Sequence, residues 1–161
     1  MTAFFLIDDF GGSASECAAA AVEAAHALRR SATRVAEEMA ERTGLFDARD
    51  CAINIGLHWG GTLFIGQVVT GGRLEVTALG DEVNEGARIQ QSARGGALLA
   101  SKALVERLSA EDGRRIGVDP EEVVYTTIAD LPGADAKALR DAGTLPVTEL
   151  YAGEREALPA G

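Results

Sequence analysis

Asn84 and Arg88 are the residues whose types and spacing best suit chemistry in this chain. Four positions apart in a helical stretch, they place an amide and a guanidinium on one face, a turn from each other. An amide can orient a sugar hydroxyl, and a permanently charged, forked donor can grip a phosphate. His58 is a further candidate for proton transfer, but it alternates along a strand-like run beside Trp59, the setting of a structural histidine. His26 belongs to a long helix and has less to recommend it.

The stretch that positions this pair runs from Gly71 to Arg94 as a turn, a strand, a Gly-Asp corner and a helix. Gly80 permits the corner, and Asp81 and Glu82 put negative charge in the first helical turn, where the helix dipole favours it. Upstream, Thr62 to Val69 and Arg73 to Leu79 read as a hairpin around Thr70-Gly71-Gly72. From Cys51 to Trp59, Ile53, Ile55, Leu57 and Trp59 alternate with smaller or polar residues, the period-two pattern of a strand with one buried face. Ala3 to Ile7 is an apolar run bounded by Asp8-Asp9 and Gly11-Gly12, which predicts a buried strand and a turn.

Between these strands, Ser13 and Glu16 have capping-box spacing. Ala21, Ala25, Leu28, Ala32, Val35 and Met39 then recur in steps of four and three, predicting a long amphipathic helix that ends near Gly44 and lies on a sheet. Downstream, the pattern predicts a short strand over 97–100, a helix capped by Ser101, a further turn stopped by Gly117, an outer strand over 123–128, a small helix over 134–142 and a last strand over 146–151. Helices and strands mixed in this order, with hairpins as well as crossovers, argue for an α+β sandwich whose helices pack on a largely antiparallel sheet.

Taken together, GLHWGG at 56–61, the hairpin to Leu79 and GDEVNEGAR at 80–88 resemble the signature of the class III nucleotidyl cyclases, which convert ATP or GTP to the 3′,5′-cyclic nucleotide and pyrophosphate. The resemblance implies a ferredoxin-like core over residues 1–152, while the tail at 153–161 reads as frayed from its own sequence. It implies that Asn84 orients the ribose, that Arg88 stabilises the transferring phosphate, and that Thr77 reads the purine edge with a lean towards ATP over GTP. Lys137 and Arg140 stand shortly before the final strand, where the family often has a lysine that holds the triphosphate.

Family members also hold two Mg or Mn ions on two aspartates, one in a motif like FADIVGFT and one in a motif like IGDG. Asp8 and Asp9 in FLIDDFGGS superficially resemble the first motif, but only one long helix separates them from the IGLH strand, and this spacing argues against them. The expectation is therefore a cyclase domain lacking its first strand, first helix and metal ligands. Such sites form between two chains, so the implied partners are a homodimer or a metal-bearing cyclase chain, and the chain alone is expected to be weak or inactive. The alternative is a non-catalytic cyclase homology module that dimerises or binds nucleotide.

Composition narrows the remaining classes. A chain of 161 residues suits one domain with one core. A net charge of −10 repels nucleic acid and anionic membrane surfaces, so an anionic nucleotide needs local cations. Cys17 and Cys51 lack CxxC spacing and read as buried free thiols in a reducing cytoplasm. No apolar run reaches the roughly 18 residues that suggest a membrane span.

Overall fold

The computed structural model of the chain describes residues 1–62, 64–70, 72–132 and 136–151, with the backbone alone described at 65, 68–70 and 73–77. Its secondary structure is α+β. Helix α1 (Ala14–Thr43) starts where the Ser13 hydroxyl accepts the Glu16 backbone N–H at 3.2 Å and stops at Gly44, whose φ of 64° lets its N–H reach the Ala40 carbonyl. Its first half buries Ala18, Ala19, Val22 and Ala25, small side chains that let the helix lie close to the sheet. Further along, Leu28, Val35 and Met39 remain exposed.

Strand β1 (Ile55–Leu57) is followed by β2 (Phe64–Thr70) and β3 (Arg73–Leu79), which pair antiparallel as a separate hairpin with Thr70 opposite Arg73 and Phe64 opposite Leu79. Helix α2 (Asp81–Ser92) leads to β4 (Leu98–Ser101), the short α3 (Lys102–Val105) and α4 (Ala110–Ile116). Ser101 caps α3 and Gly117 ends α4, as the sequence pattern predicts, and Ser109, which that pattern does not single out, caps α4. Strand β5 (Thr126–Thr127), α5 (Ala136–Ala142) and β6 (Pro146–Glu149) complete the described chain.

The main sheet runs β1-β4-β6-β5. It is mixed: β1 lies parallel to β4, while β6 pairs antiparallel with both β4 and β5. The largely antiparallel expectation therefore holds for the hairpin and two of the main-sheet pairings, but not for β1–β4. Helices cover both faces. On one face Leu98 and Ala100 pack with α1, Leu104, Val105 and Ile116, joined by Ile55, Leu57 and Trp59. On the other, Leu99 and Val147 pack with Ile89 of α2, Ala138 and Ala142 of α5 and Ile128. The period-two face read from Ile55, Leu57 and Trp59 thus belongs to the first core.

Three local expectations are corrected. Ala3 to Ile7 is not a strand: Ile7–Phe10 forms a single 3-10 turn, and Phe4, Phe5, Leu6 and Ile7 are exposed. An apolar run becomes a strand only where a ladder partner takes its backbone groups, and this segment pairs with none of the described strands. The runs at 51–59 and 123–128 shrink to three and two strand residues for the same reason. Cys17 is buried as expected, whereas Cys51 is exposed at the end of a 3-10 turn. The predicted tail at 153–161 lies outside the described residues.

Candidate functional site

Glycines in the two halves of the sequence signature let β1 and α2 meet at backbone distance. A Cβ on Gly56 would fall 2.8 Å from Gln90 Cα, one on Gly60 would fall 2.7 Å from Glu82 Cβ, and one on Gly86 would lie 3.5 Å from His58 Cβ. The register is regular: 56 meets 90, 58 meets 86, and 60 meets 82. Two strand residues advance about 6.6 Å and four helical residues about 6 Å, so strand and helix stay in step while running in opposite directions. The Gly61 N–H donates to Glu82 Oε1 at 3.1 Å and fastens the end of the seam. Gly80, with φ 143° and ψ 163°, adopts a backbone that side chains disfavour and turns the chain from β3 into α2.

This seam fixes which way α2 presents its chemistry. Residues 82, 86 and 90 face Gly60, His58 and Gly56, so at 100° per residue Asn84 and Arg88 project from the opposite side. Asn84 is exposed, and its side chain has no hydrogen-bond partner among the described residues. Arg88 is only 11% exposed and reaches across to α5, where its Nε lies 3.3 Å from Asp141 Oδ2, close enough for an ion pair but without hydrogen-bond alignment. Its Nη1 donates to Gln91 Oε1 at 2.5 Å.

The same carboxylate receives Arg140, whose Nε donates to Asp141 Oδ1 at 2.8 Å. The Arg140 hydrogen bond, followed by the charges of Arg140, Arg88 and Lys137, holds the Asp141 carboxyl below the usual carboxylate range against the opposing effect of desolvation. The three cations named from the sequence for phosphate therefore gather at one α2–α5 junction. The Thr77 side chain lies outside the described residues, so its place relative to this junction is not described.

An open cleft of about 750 Å³ lies elsewhere, lined by His58, Trp59, Phe64, Asp81, Glu82 and Glu85 among others. Three carboxylates make it a poor host for an anion. His58 is 8% exposed, with Nε2 at 3.1 Å from Glu85 Oε2 but again without hydrogen-bond alignment. Burial pushes its pKa down against the pull of Glu85 and Glu82, so it stays neutral near pH 7, in keeping with its structural reading. His26 is buried, neither ring nitrogen has a hydrogen-bond partner among the described residues, and burial followed by the Arg29 and Arg30 charges lowers its pKa too.

The sign of the resulting pH dependence is fixed. Above about pH 6.5 both histidines are neutral in folded and unfolded chains. Below it the unfolded chain takes up protons that the folded chain resists, so stability falls with pH until the depressed folded pKa values are reached. The melting temperature should be lower at pH 5.5 than at pH 7.5, and His26→Leu should flatten the slope. A melting temperature that is constant or rises on acidification would contradict this account.

Asp8 and Asp9 lie exposed in the 3-10 turn before α1, and no group of three or more acidic, histidine or cysteine side chains suited to a metal ion occurs among the described residues. This donor set does not fit a two-metal centre. Sequence reasoning missed Asp141 and Gln91; the readable signal was Arg140-Asp141, a cation adjoining a carboxylate just before the final strand. Among the described residues no helix is long and apolar enough to cross a membrane. Compared with models of known families, with curated proteins and with solved structures, the chain shows no match.

Proposed function

We propose that the chain is the nucleotide-holding half of a class III cyclase-type site on a ferredoxin-like core, taking ATP in preference to GTP and serving cyclic-nucleotide signalling in the cytoplasm. The observation that carries this reading is the convergence of Arg88 with Lys137 and Arg140 on Asp141, across about fifty residues of sequence, in a chain whose net charge is −10. Electropositive ground of this kind suits a polyphosphate, and exposed Asn84, one turn earlier on the same face of α2, is available to a ribose. Thr77 is assigned to the purine edge.

In the reaction, a ribose 3′-oxygen attacks the α-phosphorus in line while pyrophosphate departs, and positioning and charge stabilisation supply most of the rate. Asn84 would orient the ribose. Arg88 would take the charge that grows on the phosphate, with Lys137 and Arg140 on the outer phosphates. The metal-bearing carboxylates that such chemistry uses in the family would come from a partner chain, so the chain alone is a binding module.

ATP titration followed by calorimetry, with and without Mn, tests the reading. Micromolar to sub-millimolar ATP binding, weaker GTP binding and no cyclic nucleotide from the chain alone are expected. Absence of ATP binding at millimolar concentration would sink the nucleotide assignment, and robust turnover alone would sink the partner-dependent one.

A further inference from the structure

The α2–α5 junction already contains an anion. Arg88 is largely withdrawn from water and would be costly to hold there unpaired, and Asp141 supplies the opposing charge at 3.3 Å. Arg140 spans both of its oxygens, Nε donating to Oδ1 at 2.8 Å and Nη2 to Oδ2 at 3.5 Å, and Oδ2 also faces Arg88 Nε. A carboxylate shared between two guanidinium groups presents oxygens much as an edge of a phosphate does. Asp141 sits one third exposed at the mouth of this arrangement, so turning it outward would return it to water. Neither the motif nor the phosphate assignment calls for it.

We propose that Asp141 is an internal stand-in for a ligand phosphate, a positioning residue that keeps Arg88 neutralised while the site is empty and that an incoming polyphosphate must displace. The proposal rests on the assignment of Arg88, Lys137 and Arg140 to phosphate. Its consequence is selectivity by charge. A ligand carrying several negative charges regains on three cations more than Asp141 gives up, whereas a singly charged anion merely exchanges one charge for another. The chemical class admitted is therefore a polyphosphate, alone or as part of a nucleoside triphosphate.

The test is calorimetric titration of the full chain with inorganic tripolyphosphate and, separately, with ATP, for wild type, Asp141→Asn, Asp141→Glu and the double variant Asp141→Asn with Arg88→Gln. Asn preserves shape and removes charge, so tripolyphosphate should bind at least tenfold tighter to Asp141→Asn. Asp141→Glu should stay near wild type, and the double variant should lose the gain. A residue that merely buttressed Arg88 would weaken binding when neutralised, so unchanged or weaker tripolyphosphate binding by an Asp141→Asn protein with a wild-type melting curve overturns the proposal. Should that variant fail to fold, Asp141→Ser is read in the same way. If ATP binds no better than tripolyphosphate while Asp141→Asn gains, the proposal stands and the nucleotide reading falls. If wild type prefers ATP and neutralising Asp141 changes nothing, the reverse holds.

Discussion

Gly56→Ala should lower the melting temperature by about 10 °C, whereas Gly86→Ala, thirty positions away on the facing surface of the same seam, should leave it unchanged or raise it slightly. The two glycines look alike in the sequence motif but face different neighbours. A methyl group on Gly56 would enter the backbone of Gln90, coming within 2.8 Å of its Cα and 2.9 Å of its Cβ, and against the backbone nitrogen as well. No side-chain rotation can relieve a clash with a helix backbone, so β1 and α2 must separate. Separation uncovers the apolar surface that their close approach excludes from water. A cost of roughly 3 kcal/mol or more is expected, at the upper end for overpacked sites.

At Gly86 the new methyl would sit 3.5 Å from His58 Cβ, an ordinary contact. Alanine there also avoids the helix-propensity cost of glycine, roughly 0.5–1 kcal/mol. The opposite signs make the pair a test of the strand–helix register itself. Thermal melts of the two variants decide it, and equal effects would mean that β1 and α2 are not in the register described.

The same seam shows what could be read from the sequence and what could not. Period-two alternation correctly gave the face of Ile55, Leu57 and Trp59, because burial on one side of a strand imprints directly on residue type. It said nothing of Gly56, His58 and Gly60 as an interface, since a helix packed at backbone distance leaves only small residues behind, and these resemble turn signals. Capping residues were legible for a related reason: Ser13 and Ser101 act on N–H groups three positions away, so the whole interaction lies within a few letters of sequence. Ala3 to Ile7 misled because its composition reports the propensity to pair, while none of the described strands offers it a ladder partner. Arg88 was legible as a cation on the same helix face as Asn84. Its neutralisation by Asp141, 53 positions later, depends on how α5 packs on α2, which no local pattern encodes.

Arg88→Ala should weaken ATP binding about a hundredfold without unfolding the chain, which follows from where Arg88 sits and what remains when it is removed. Its forked donors can take two phosphate oxygens at once, and its 11% exposure shields that interaction from competing water. Charge-assisted hydrogen bonds in such a setting contribute about 1.5–3 kcal/mol each, so losing the fork costs roughly two orders of magnitude in affinity. Asp141 keeps its contact with Arg140, leaving no wholly unpaired carboxylate, and Ile89 next to Arg88 continues to anchor α2 in its core. Arg88→Lys separates charge from geometry: the charge survives but the fork does not, so affinity should fall between wild type and alanine. Titrations of ATP and tripolyphosphate into both variants, alongside thermal melts, provide the measurement. Equal ATP affinities for wild type and Arg88→Ala would remove Arg88 from the phosphate site, and with it the main physical reason to place a nucleotide at the α2–α5 junction.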